Sequence, residues 1–260
     1  MNQADIELMN SLNWYHKIEL VGGRVTPGRE WDHLWSPIKR EMRRVDFRGK
    51  RVLDIGTWDG LWSFEAESLG ASSVLATDIN TQRSFTDQGP ATFELAKRIR
   101  GSKVEYKEVS VYDLDSLEQQ FDVVVFFGVL YHLRYPQLGL ARIRNVLKDG
   151  GLLLIETAIL LDIEDTIIQT DHQKIYPNDV STWNAFSEPA LVSLLKESYF
   201  EVERFEVIVR QNRGRKIGRG FALARATSGV NLHHYFPDLY LHRFFEPYGA
   251  ASEEAGKTDR

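Results

Sequence analysis

The stretch Arg51-Val52-Leu53-Asp54-Ile55-Gly56-Thr57-Trp58-Asp59-Gly60 constrains this chain more than any other. An apolar run carries one acid, Asp54, then turns through two glycines into an amphipathic segment opening at Leu61. That pattern predicts a strand, a tight loop and a helix start, where α/β proteins hold an anionic or nucleoside-bearing ligand. Asp59 could serve as a helix N-cap, but no cap or solvated strand end accounts for Asp54 inside an apolar strand.

From Arg51 onward strand and helix patterns alternate. Strands are expected over 52–55, 74–78, 104–108, 122–127 and 152–156, and helices over 61–69, 90–100, 136–147 and 188–198. The strands are short, β-branched and apolar, as strands covered by helices on both faces are. Two late strands, 201–210 and 219–225, are joined by eight residues, 211–218. That allows a hairpin but not a crossover, so the last strand should run antiparallel. The result is an α/β fold, a Rossmann-like, seven-stranded, doubly wound sheet with its last strand antiparallel. It occupies residues 48–228, behind an N-terminal extension and cap helix (1–47) and ahead of a tail (229–260).

Three segments stand outside that alternation. In the extension, Trp31 and Trp35 open a helix running to about residue 45 and share a face with Ile38 and Met42. Either this face packs on the domain, or Trp31 covers the ligand cleft as a flap. Residues 157–187 lack periodicity and are long enough to be a lid or an acceptor-side insertion, with His172, Trp183 and Asn184 as pocket candidates. The tail carries Tyr235, Phe236, Tyr240, Phe244, Phe245 and Tyr248. Those rings should dock on the domain or form a homodimer, and residues 251–260 read as disordered.

Charge and composition exclude several classes. The balance of 32 Lys and Arg against 37 Asp and Glu, a net charge of −5, argues against wholesale coating of nucleic acid. Zero cysteines exclude disulfides, thiolate metal sites and cysteine nucleophiles, and fit a cytoplasmic protein. Residues 1–13 lack the basic-then-apolar pattern of a secretion signal. The apolar runs are strand-length, so no membrane partner is expected. His233, His234 and His242 have no ligand spacing, and no metal site is expected.

The glycines Gly56 and Gly60 let backbone approach a ligand closely, and Asp78 ends the second strand where ribose hydroxyls can donate to it. The dinucleotide fingerprint, Gly-x-Gly-x-x-Gly with an apolar residue in place of Asp54, is absent. Asp54 and Asp59 would repel a pyrophosphate and suit a cationic, amino-acid-bearing ligand. That points to S-adenosyl-L-methionine rather than NAD.

The stretch from Val52 to Ile79 is similar to the nucleotide-binding half of the class I S-adenosylmethionine-dependent methyltransferases. The run from Phe121 to Leu133 resembles that family's fourth strand and following loop, and Leu147 to Thr157 its fifth-strand entry. Within the family, Gly128-Val129-Leu130-Tyr131-His132 with Pro136, Ile155-Glu156-Thr157, and Glu30-Trp31 with Trp35 resemble one branch. That branch holds the bacterial tRNA wobble-uridine carboxymethyltransferases and their small-molecule relatives, and the likeness covers residues 15 to 210. It implies that Asp54, Gly56, Thr57 and Gly60 surround the methionine part of the cofactor, with Asp78 on the ribose and Ile79 on the adenine. Val111 and Tyr112 would sit at the adenine edge and Trp31 over the cofactor. Phe127, Gly128 and Tyr131 would border the methyl group and acceptor. Carboxymethyltransferases read a carboxylated cofactor with a lysine where this chain has Tyr15, with Lys17 nearby. Their arginine near the C-terminal strands matches Arg213 or Arg215 loosely. These departures imply methyl transfer from the unmodified cofactor.

Methyl transfer is an in-line displacement in which the protein aligns donor and acceptor, and a base is needed only if the acceptor must lose a proton. The expected catalytic set is His132, Tyr131 and Glu156. His132 is a base or a hydrogen-bonded loop histidine, Tyr131 shapes the pocket, and Glu156 faces the cleft or ties down a loop. Arg210, Arg213, Arg215, Lys216 and Arg219 put five cations into ten residues. They hold RNA phosphates or form a solvated hairpin tip. The function expected is methylation of a hydroxyl, amine or acid on a small molecule. A tRNA-modifying enzyme is the alternative, and a non-catalytic cofactor-binding module the third reading.

Overall fold

Strand β1 (Arg51–Ile55) lies between β2 (Ser73–Asp78) and β4 (Phe121–Phe127) and is parallel to both, with Asp54 opposite Ala76 and Val125. The chain is seen in a computed structural model that describes residues 1–79, 90–171, 175–176, 179–210 and 217–227. Strand β3 (Glu105–Glu108) continues the sheet beyond β2, and β5 (Leu147–Leu160) continues it beyond β4, again parallel. Two late strands, β8 (Phe200–Arg210) and β9 (Ile217–Ala226), close that side. β9 runs antiparallel to both β5 and β8. The order 3-2-1-4-5-9-8 is the Rossmann-like doubly wound sheet expected, with its last strand antiparallel. Its winding reverses between β1 and β4, which opens a crevice at the carboxyl ends of those strands.

Strand alternation divides the core into two layers. Val52, Val123, Val125, Leu154 and Phe221 pack with α2 (Asp32–Met42), α3 (Leu61–Ser68) and α4 (Ala91–Arg100). Leu53, Ile55, Val124, Phe126 and Leu153 pack with α5 (Pro136–Val146) and α6 (Glu188–Glu197). The near-continuous apolar run of β4 follows from cover on both faces.

The fold differs from the sequence reading in three places. Helix α1 (Gln3–Ser11) forms in the polar start of the chain, held by a capping box between Asn2 and Asp5 and by an Asp5–Arg98 ion pair to α4. Met9 and Trp14 then enter the core beside Trp35, Ile38 and Met42 of α2. Second, β5 runs four residues past Glu156. Beyond it, β6 (Ile168–Thr170) and β7 (Asn184–Ser187) add two strands to the seven expected. β7 pairs with Ile159 and Leu160, taking the edge that β4 vacates where it ends opposite Glu156. Strands of three and four residues are too short for period-two alternation to register in the sequence. Third, the two described members of the cation cluster have acid partners of their own: Arg219 is buried against Glu156, and Arg210 pairs with Asp162 at 3.0 Å.

His172, Arg213, Arg215, Lys216 and the whole tail from residue 228, with its rings and histidines, lie outside the described residues. Among the described residues no helix is long and apolar enough to cross a membrane.

Candidate active site

The loop after β1 is fixed by backbone bonds. Gly56 and Thr57 both donate to the Thr77 carbonyl, at 2.8 and 3.1 Å, and Gly60 donates to Thr57 at 2.8 Å. Gly56 takes φ +74, and a Cβ there would stand 2.4 Å from Cγ2 of Val129. Only glycine lets this loop approach the loop after β4 so closely. Trp58 is left-handed without glycine's freedom, at φ +49. That conformation aims its backbone N–H at Asp78 Oδ2, 2.9 Å away, and sets its ring 5.2 Å from Tyr15.

Asp54 is buried on β1. Its Oδ2 accepts hydrogen bonds from Thr57 Oγ1 at 2.8 Å and Ser63 Oγ at 2.6 Å, while Oδ1 takes none among the described residues. Burial pushes this carboxyl up to about 6, against the pull of the two hydroxyls. A carboxylate in that state gains from a cation brought beside it. The residues therefore fit S-adenosylmethionine: an acid with one unbonded oxygen, a glycine-bared backbone, and a second acid, Asp78, at the crevice edge.

Asp59 corrects the sequence reading, which set it beside Asp54 facing the ligand. It is fully buried, and its Oδ2 accepts the backbone N–H groups of Tyr15 and His16, each at 2.7 Å. Its Oδ1 accepts Thr92 Oγ1 of α4 at 2.6 Å. The N-cap position of α3 falls to Gly60. Asp59 is thus a clasp fastening the N-terminal extension to the cofactor loop, and the electrostatic case against a pyrophosphate rests on Asp54.

Across the crevice, Gly128 turns at φ +73 and donates to the Glu156 carbonyl at 3.0 Å. Phe127 packs edge-on against Trp62, 5.2 Å between centroids. Glu156 and Arg219 form a buried two-point ion pair, Nη2 to Oε2 at 2.6 Å and Nε to Oε1. The Arg219 guanidinium lies 4.6 Å from the Tyr131 ring and 5.9 Å from Tyr176. Burial raises the phenols of Tyr131 and Tyr176, and pushes Tyr15 up to about 12, so all three are neutral. His132 Nδ1 lies 2.9 Å from Ser181 Oγ and 3.1 Å from the Ser181 carbonyl, and burial holds its pKa below the usual value.

The other sequence candidates are distributed unevenly. Trp183 donates its backbone N–H to the Tyr131 carbonyl at 2.9 Å, and Asn184 Nδ2 donates to the Leu133 carbonyl at 2.7 Å. These bonds stitch the insertion to the loop after β4. Trp31 stands 5.4 Å from the Tyr15 ring, with the Arg29 guanidinium 5.0 Å from both rings. Ile79 is 58% exposed just past β2. Val111 is buried in the core beside Leu133. The Tyr112 hydroxyl accepts the Tyr135 N–H at 3.1 Å. Tyr15, Tyr176, Asp179, Ser181 and the inward position of Arg219 were not read from residue patterns; only Tyr15 carried a signal, as the counterpart of a family lysine.

The chain belongs to the methyltransferase-domain family, whose model matches residues 29–204, and it is a class I, S-adenosylmethionine-dependent member. It is 32% identical over 174 residues to the tRNA U34 carboxymethyltransferase of Pseudomonas paraeruginosa (strain DSM 24068 / PA7), covering 66% of this chain and 51% of that protein. The enzyme of the same name from Ectopseudomonas mendocina (strain ymp) is 31% identical over 173 residues, with the same coverage. The chain thus spans about half the length of the curated relatives it matches, 51%. Among solved structures, the N-terminal domain of EvdMO1 with bound S-adenosylhomocysteine shares the fold at TM-score 0.63 and 18% identity, covering 87% of this chain and 98% of that one. The Burkholderia thailandensis 1,6-didemethyltoxoflavin-N1-methyltransferase, solved with 1,6-didemethyltoxoflavin and S-adenosylhomocysteine, does so at TM-score 0.57 and 21% identity. It covers 74% of this chain and 77% of that one.

Proposed function

We propose that this chain methylates a small-molecule acceptor, using unmodified S-adenosylmethionine held by Asp54, Gly56, Thr57, Gly60 and Asp78. The observation that carries this reading is the Glu156–Arg219 pair beneath Tyr131 and Tyr176. The arginine's charge is met by its own carboxylate, and the rings around it are neutral. A neutral, aromatic-walled end to the crevice suits a small, weakly charged acceptor and offers little to a phosphate backbone. Of the hairpin cations, the two described are both paired, Arg219 to Glu156 and Arg210 to Asp162.

The same pair supports the unmodified cofactor. A carboxylate on the donor would need an uncompensated cation facing it; Arg219 is met by Glu156, and Arg29 is exposed and lies over the Tyr15 and Trp31 rings. Tyr15 stands neutral where the resembling enzymes carry lysine, and Lys17 is engaged by Glu30 and by Asp32 at 3.6 Å. Bound S-adenosylmethionine supplies a methyl carbon already activated by its sulfonium. The chain's own residues align the acceptor against it, with Tyr131 and Phe127 as walls and the extension clasped by Asp59 as a cover that excludes water.

A second reading, transfer to tRNA, is favoured by the similarity to tRNA U34 carboxymethyltransferases. One experiment separates them: incubate the protein with methyl-labelled cofactor and a cell extract split into small-molecule and tRNA fractions. Label in the small-molecule fraction supports the first reading. Label in tRNA, with binding that weakens steeply with salt, supports the second.

A further inference from the structure

Resting on the methyltransferase reading above, we propose that His132 takes the proton from a hydroxyl acceptor, and that Ser181 and Asp179 are positioning residues that fix its tautomer. The Ser181 carbonyl, 3.1 Å from Nδ1, can only accept a hydrogen bond. The Ser181 hydroxyl donates its hydrogen to Asp179 Oδ1, which also accepts the Ser181 N–H at 3.0 Å. Its oxygen, 2.9 Å from Nδ1, is therefore left as an acceptor as well. Both groups facing Nδ1 accept, so a neutral imidazole carries its hydrogen there. The lone pair is then on Nε2, which has no hydrogen-bond partner among the described residues.

The ring thus spends Nδ1 on Ser181 and leaves the basic nitrogen without a partner among the described residues. The ring lies 4.1 Å from Tyr131, next to the pair that floors the acceptor end. The charged groups acting on it are Asp179, Arg219 and Glu156, and the phenols beside it, Tyr131 and Tyr176, are neutral. Burial outweighs these influences and keeps the ring uncharged near neutral pH.

That state selects the acceptor. A carboxylate brings its own free electron pair, and so does an unprotonated ring nitrogen. A hydroxyl must lose a proton as its oxygen bonds to carbon, and a neutral imidazole matches that need. The hydroxyl proton passes to Nε2, the oxygen pair forms the new O–C bond, and the C–S pair stays on the departing sulfur. The positive charge leaves sulfur and appears on His132, which returns its proton to water.

The test reads the ring directly. Nitrogen NMR of the full-length protein saturated with S-adenosylhomocysteine, with His132 identified by its loss in His132→Gln, should show hydrogen on Nδ1 and a bare Nε2 near neutral pH. Hydrogen on Nε2, or a doubly protonated ring, overturns the proposal. Asp179→Ala frees the Ser181 hydroxyl to donate to Nδ1, shifting the ring toward the other tautomer. It should lower turnover about tenfold with KM unchanged, and Asp179→Asn, which keeps the acceptor oxygen, should restore most of it. His132→Gln should cost about a hundredfold in release of S-adenosylhomocysteine from labelled-extract reactions. Unchanged turnover in that variant, or label found on nitrogen alone, also overturns the proposal. A wild-type protein that methylates nothing refutes the methyltransferase reading instead, while the ring spectrum still decides the tautomer.

Discussion

Asp54→Asn removes the charge of a carboxylate that is 1% exposed while keeping its shape. Burial moves this group from 3.8 to about 6. At about 1.4 kcal/mol per unit, the ionised form costs the fold roughly 3 kcal/mol at neutral pH. Because the folded value lies above the unfolded one, the folded chain holds the extra proton between about pH 4 and 6. Stability therefore falls as pH rises through that window, and the whole penalty applies above it. The amide must still accept from Thr57 and Ser63, and it places an NH2 where Oδ1 stood. We expect a net gain of about 1–2 kcal/mol for the ligand-free protein near pH 7.5, vanishing below about pH 4. The same change removes an anion from beside the cofactor, so S-adenosylmethionine should bind at least about tenfold more weakly. In the wild type only about a tenth of Asp54 is ionised near pH 5, so binding there should weaken about tenfold relative to neutral pH. Urea denaturation at the two pH values and calorimetry with the cofactor measure both effects. A variant that is less stable by about 1 kcal/mol or more near pH 7.5, with cofactor affinity intact, refutes the reasoning.

Arg219→Met leaves Glu156 buried without its partner and should destabilise the protein by roughly 3–5 kcal/mol in denaturant. Adding Glu156→Met should recover most of that loss, and a single variant as stable as the wild type contradicts the ion pair. Asp59→Ala strands the Tyr15 and His16 N–H groups, at about 1–3 kcal/mol for each. Limited proteolysis should then cut the N-terminal extension faster, and an unchanged cleavage rate contradicts the clasp.

Much of the fold was legible because its signals are local. The apolar run of β1, the glycines after it and the five apolar residues Val123 to Phe127 each declare an element within a few positions. The special placement of Asp54 and Asp78, both buried, is legible for a related reason: an acid set in or ending an apolar strand conflicts with its surroundings. Asp59 reads as facing the ligand or capping a helix, and Arg219 as a hairpin-tip cation, because a charge in a sequence does not show its partner. Their partners lie 44 and 63 residues away. Ser181 is likewise 49 residues from His132, and only the fold brings them together. The strands β6 and β7 exist because β4 ends and leaves an edge to pair with, a tertiary cause that no short window contains.

In the proposed function the Asp54–Gly60 loop and Asp78 hold the methyl donor. Calorimetric titration with S-adenosylhomocysteine tests this claim most directly. The product should bind at micromolar affinity or better, and Asp78→Ala should weaken it about tenfold, about 1.4 kcal/mol. No detectable binding by the wild type, or full affinity in Asp78→Ala, would contradict the claim.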